Sequence, residues 1–133
     1  MNLLLDTHVL VWAESIEARL GPRTQALLLD AANILLVSPI TALELARLVA
    51  LSRLILRKPL ADWLVGARRH LAFEDAPFTH AVAIGSYKLP GDFHKDPADR
   101  ILVATARDGG HTLITADDSI LRYPHALTWD ARK

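Results

Sequence analysis

The stretch "NLLLDTHVLVWAE", residues 2–14, decides the fold. Leu3, Leu4 and Leu5 follow one another without polar alternation, so a strand over Asn2–Leu5 must be covered on both faces. The run stops at Asp6, and "THVLVWAES" then reads as the opening turns of a helix. The same grammar recurs downstream. "NILLVS" gives a second buried strand, Ile34–Val37, and Ser38 with Pro39 starts a helix through "ITALELARLVALSRL". "HTLIT" gives a third strand, followed by "ADDSILRYP" as a turn with a helical stub, and "LTWD" a last short one. Strands that are apolar throughout and alternate with helices specify an α/β fold with a central parallel sheet.

Between the strands lie further helices, at Pro22–Ala32, within "KPLADWLVGARRHL", from Thr79, and at Pro97–Asp108 before Gly109 and Gly110. The two helices between Ser38 and Leu71 exceed one crossover and are expected to pack as a hairpin at one edge. The 133 residues suit one domain, 1–133, with a sizeable core. There is no cysteine, which fits a reducing cytoplasm and excludes thiolate chemistry. The apolar N-terminus is broken by Asp6 and His8 and lacks a basic leader, so neither a membrane span nor a signal peptide is expected. Fifteen acids balance fifteen bases, so any nucleic-acid contact must come from a local patch.

Ligands of open α/β sheets bind beyond the carboxyl ends of the strands. Asp6 lies at the end of the first strand, and Asp117 two residues past the end of "TLIT". Each alone also reads as a turn residue. In "HKDPADRILVATARDGG", residues 94–110, Asp96 is a good helix cap before Pro97, and Asp99 suits the first helical turn. That helix runs back along the sheet before the strand ending near Asp117, so its N-terminus falls at the same edge as Asp6. Glu44 sits among Leu43, Leu45, Leu48 and Leu51, with Arg47 three residues on. It is either a surface pair with Arg47 or a carboxylate that needs a partner or metal. Four carboxylates, Asp6, Glu44, Asp99 and Asp117, repel one another unless a cation neutralises them. An all-oxygen set favours Mg²⁺ or Mn²⁺, and with substrate phosphate it makes a metal-assisted phosphodiester site.

In "LLLDTHVLVWA", "SPITALELA", "HKDPADRILVATA" and "TLITADDSIL" the chain resembles the PIN-domain ribonucleases, among them the VapC-type toxins of toxin–antitoxin pairs. The resemblance implies a three-layer α/β/α sandwich and a metal-dependent endoribonuclease acting on RNA. It also implies a cognate protein antitoxin and a homodimer. The family's acids fall on Asp6, Glu44, Asp99 and Asp117, and its small hydroxyl residue on Thr115. Asp96 looks like the helix cap and a neighbour of those carboxylates, while His8 and His94 flank the acids and either touch a phosphate or a carboxylate or are merely hydrogen-bonded or solvated. Arg47, Arg68, Arg69 and Arg100 are the candidates for RNA contact, with a solvated helix face the other reading of Arg68 and Arg69 and a pair with Asp96 the other reading of Arg100. The chain departs from the family at Ala98, where relatives often carry an aromatic, and at Leu48, where they tend to carry lysine. Trp12, Trp63 and Trp129 are too scattered for a base-stacking platform and are expected in the core or an interface. Two other readings are a PIN-like module that only binds, and a receiver-type phosphoacceptor domain. The latter needs a lysine on a strand-end loop after the last acid, and only Lys133 follows Asp117.

Overall fold

The structure is a computed structural model, and it describes residues 1–15 and 19–133. Five strands form one sheet in the order β3-β2-β1-β4-β5. The strands are β1 (Asn2–Leu5), β2 (Ile34–Val37), β3 (Glu74–Asp75), β4 (Thr112–Thr115) and β5 (Thr128–Asp130). Every pairing is parallel, with Leu4 opposite both Leu36 and Leu113 at the centre. The helices are α1 (Thr7–Glu14), α2 (Pro22–Leu29), α3 (Pro39–Ala50), α4 (Leu60–Leu71), α5 (His80–Gly85), α6 (Pro97–Gly109) and α7 (Asp118–Leu121). A receiver-type sheet has the flavodoxin-like order 2-1-3-4-5, so the observed order removes that reading.

Successive leucines of β1 go to opposite faces, as a strand's period of two requires. Leu3 and Leu5 join Val9, Leu10, Leu35, Val37, Leu45 and Ile114 on one side. Leu4 joins Leu36, Leu102, Val103, Leu113 and Ile120 on the other. Burying each such side chain contributes about 1.5–3 kcal/mol, and this two-sided burial concentrates the stabilisation at the centre of the sheet. Trp12, Trp63 and Trp129 pack against the first of these clusters.

Three features differ from expectation. β3 is a two-residue edge strand, Glu74–Asp75, with both residues exposed, so no apolar run announced it. α2 ends at Leu29 rather than Ala32, where Asp30 turns the chain by accepting from the Ala32 amide at 2.9 Å. α3 and α4 do not form a close hairpin; α3 packs on α6 and α1. A groove of about 280 Å³ separates Pro39 and Ala42 of α3 from Leu64 and Val65 of α4.

α6 has the boundaries its sequence dictates. The Asp96 carboxylate accepts from the Asp99 amide, Pro97 occupies the first turn, and Gly110 closes the helix at φ 65. That left-handed angle suits glycine, which has no Cβ to clash. Among the described residues no helix is long and apolar enough to cross a membrane.

Candidate active site

The chain order reverses between β1 and β4, which are neighbours at the middle of the sheet, and crevices at such switch points are where open α/β sheets hold ligands. Asp6 leaves β1 there. Its amide continues the ladder by donating to Ile114 O at 3.0 Å, and its side chain caps α1. Both carboxylate oxygens are engaged: Oδ1 accepts from the Thr7 amide at 2.7 Å and Oδ2 from the Thr115 hydroxyl at 2.6 Å. Thr115 Oγ1 in turn accepts from the Asp117 amide at 3.0 Å, so one hydroxyl links the acids that end β1 and β4. Asp117 caps α7 through Oδ1, which accepts from the Ser119 amide at 2.8 Å.

Glu44 reaches the same edge from α3. Its Oε1 accepts from the Thr7 hydroxyl at 2.8 Å. The surface Glu44–Arg47 pair does not form, and Arg47 is exposed. Nor are the flanking leucines a buried wall: Leu45 is buried, but Leu43 and Leu51 are mostly exposed. Thr7 is a site residue that sequence reasoning missed. Its signal was its place directly after a strand-ending acid, where a threonine offers both an amide and a hydroxyl.

Asp99 arrives on the first turn of α6. Its Oδ2 lies 3.2 Å from His94 Nε2. Ligand atoms of His94, Asp99 and Asp117 all lie within 4.8 Å of one another. Asp6 and Glu44 stand outside that tight group, yet their charges act on it. Burial pushes the Asp99 carboxyl up to about 8, and Asp6, Asp96, Asp117 and Glu44 all push the same way. Burial also raises Asp6, opposed by the Thr115 hydroxyl and by His8 and reinforced by Asp117. It raises Glu44 against the Thr7 hydroxyl, with Asp6 and Asp96 adding to the rise. The edge is thus an acidic cluster whose members resist ionising together.

The sequence profile of the PIN domain matches residues 3–126. The chain belongs to the PIN domain family. It is 34% identical over 125 residues to "Ribonuclease VapC22" of Mycobacterium tuberculosis, with 93% of each chain covered. The fold matches the FitAcB complex of Neisseria gonorrhoeae with a TM-score of 0.69 at 23% identity, covering 97% of both chains. It also matches VapBC2 of Rickettsia felis, solved on a promoter DNA fragment, with a TM-score of 0.67 at 19% identity; 98% of this chain and 100% of that one are covered.

The four candidate arginines of this PIN domain divide into two groups. Arg47 and Arg69 are exposed. Arg68 is engaged: it pairs with Asp75 at 2.5 Å, donates to Phe73 O at 3.2 Å and lies over the Phe73 ring. Arg100 is turned inward, donating to Ser86 O, Phe93 O and His94 O at 2.9, 3.0 and 3.1 Å. Its guanidinium therefore braces the loop before α6, an arrangement the sequence expectation of RNA contact did not include.

Thr115 offers a direct check on this geometry. It is fully buried, and valine has its shape without the hydroxyl. Thr115→Val leaves a buried carboxylate oxygen and an amide without their partner, a cost of about 1–3 kcal/mol. We expect a lower melting temperature for Thr115→Val and near-native melting for Thr115→Ser, read by calorimetry. Equal melting of the valine variant and the native protein would show that the link carries no energy.

Proposed function

We propose that this PIN domain is a divalent-cation-dependent endoribonuclease that cleaves RNA phosphodiester bonds, and the toxin of a type II toxin–antitoxin pair. The observation that carries the reading is the gathering of Asp6, Glu44, Asp99 and Asp117 at one sheet edge, with Asp99 held up to about 8. Oxygen donors in this number fit Mg²⁺ or Mn²⁺, and like charges this close are stabilised by a cation. Support for the activity comes from the VapC22 relative, named a ribonuclease.

Asp6, Glu44, Asp99 and Asp117 would hold the cation. When bound, it neutralises charge on the phosphate and makes the attacking water a better nucleophile. The chain's own residues prepare the site. Thr115 and the Thr7 amide fix both oxygens of Asp6. The Thr7 hydroxyl turns Glu44 toward the edge. The Ser119 amide holds one oxygen of Asp117. Such pre-set donors need no reorganisation when substrate arrives.

The partner in this reading is a cognate antitoxin. Support comes from the VapBC and FitAB complexes among the structural neighbours. A groove of about 680 Å³ lies beyond the end of α3, with Val11, Leu54, Ile55, Leu56 and Trp63 on its lining beside Glu14, Arg57 and Lys58. It suits an amphipathic helix, and an arginine from such a segment would satisfy the carboxylates as a cation does. A homodimer belongs to the same reading, supported by the exposed apolar side chains Leu43 and Val49 on α3 and Leu51 at its cap.

Asp96 separates capping from chemistry. Asn caps a helix nearly as well as Asp. Asp96→Asn should therefore cleave RNA within a few-fold of the native rate. Inactivity equal to that of Asp99→Asn would place Asp96 among the essential acids. A PIN-like module that only binds predicts no cleavage by the native chain with any divalent cation.

A further inference from the structure

The loop between α5 and α6 is fastened from several sides. Arg100 holds the carbonyls of Ser86, Phe93 and His94 and stacks over Tyr87 at 4.8 Å. The Tyr123 hydroxyl donates to Pro90 O at 2.5 Å, and its ring meets Phe93 edge-on at 4.9 Å. The result is the placement of one side chain, His94, beside the carboxylates. The Asp96 amide donates to His94 Nδ1 at 3.4 Å, so Nδ1 is the acceptor of the ring and Nε2 its donor. A ring nitrogen of His94 lies within 4.8 Å of carboxylate oxygens of both Asp99 and Asp117, and Nε2 faces Asp99. It lies 3.2 Å from Asp99 Oδ2 but outside hydrogen-bond alignment, and it is a buried nitrogen with no other partner among the described residues. In this arrangement Nε2 presents a donor and not a lone pair to the carboxylates, and ligating a cation would move the proton to Nδ1 and break the Asp96 amide contact. An N–H left unpaired at this edge is instead a donor awaiting an acceptor.

We propose that His94 donates a hydrogen bond from Nε2 to an oxygen of the scissile phosphate, and that Arg100 is the positioning residue that holds it there. This rests on the ribonuclease reading and deepens it. The role is donation alone, without proton transfer, and it strengthens as charge builds on the phosphate. Removing one such donor costs about 10²–10³-fold in kcat in enzymes that use them.

The test compares the native chain with His94→Ala, His94→Gln, Arg100→Ala and the Arg100→Ala/His94→Ala pair. It measures cleavage of a single-stranded RNA and Mn²⁺ affinity by calorimetry. His94→Ala should lose about 10²-fold in kcat with Mn²⁺ affinity unchanged, and His94→Gln, which keeps an N–H, should recover part of that loss. Arg100→Ala should lower kcat in the native background and add nothing in the His94→Ala background, where the residue it positions is gone. A tenfold weaker Mn²⁺ affinity in His94→Ala would make His94 a metal ligand and overturn the proposal. So would a kcat within twofold of native, or an Arg100 effect that persists unchanged without His94. ¹⁵N NMR of the His94 ring at saturating Mg²⁺, before and after a single-stranded oligonucleotide is added, separates the two readings. If the native chain cleaves nothing yet the Nε2 signal moves, the phosphate contact stands and the ribonuclease reading falls. If the signal does not move, the contact falls. The NMR arm on native protein also decides the matter should Arg100→Ala fail to fold.

Discussion

Asp99→Asn is expected to lower RNA cleavage by on the order of 10³-fold, with Asp6→Asn and Asp117→Asn close behind. Residues that only orient a metal's ligands cost 10–100-fold when changed, and these acids are proposed to hold the cation itself. Asn keeps the size of each side chain and the local cap hydrogen bonds of Asp6 and Asp117, but at Asp6 it gives up an acceptor of the Thr7 amide or the Thr115 hydroxyl, so loss of activity has to be separated from loss of fold. Circular dichroism of each variant checks that point. A variant of Asp99 that cleaves at a tenth of the native rate or better would remove it from the chemistry and leave it a helix-start residue.

Much of this was legible in the sequence because burial and chemistry both leave local marks. "NLLL" cannot be a one-sided strand, and its neighbours "ILLV" and "TLIT" repeat the rule, so a parallel sheet was required. Acids at strand ends and at the start of α6 then had to meet at one edge. The missing parts are those set by tertiary contact. β3 carries charge on an exposed edge and has no periodicity to detect. Arg100 reads as a surface cation, and only the path of the loop at 86–94 turns it toward three carbonyls. Thr7 looks like one more helix-start residue until α3 brings Glu44 to its hydroxyl.

The second large effect concerns stability without metal. The Asp99 carboxyl stands at about 8 in the folded chain against 3.8 as the ordinary value, so the folded state binds a proton that the unfolded state releases between those values. A raised value means that its contribution is fully present below the unfolded value and is lost as pH rises through the folded one. In chelator, the native protein should therefore lose stability relative to Asp99→Asn as pH climbs from about 4 to 8. At pH 7 the folded carboxyl is mostly protonated, so the variant also forfeits little of the roughly 0.3–1 kcal/mol that a carboxylate gains at a helix N-terminus. Asp99→Asn should melt above the native protein. Mn²⁺ at a hundredfold excess over Kd should reverse the order, adding about 2.7 kcal/mol to the native chain, or roughly 10 °C, and much less to the variant. If Asp99 were only a helix-start residue, the metal-free variant would melt lower and Mn²⁺ would shift both alike.

Cleavage of a single-stranded RNA by the purified native chain, in chelator and then with Mn²⁺ restored, tests the central claim most directly. The gathered carboxylates predict no cleavage in chelator and full recovery with Mn²⁺, because they act through the cation they hold. Cleavage that continues undiminished in chelator would contradict the account.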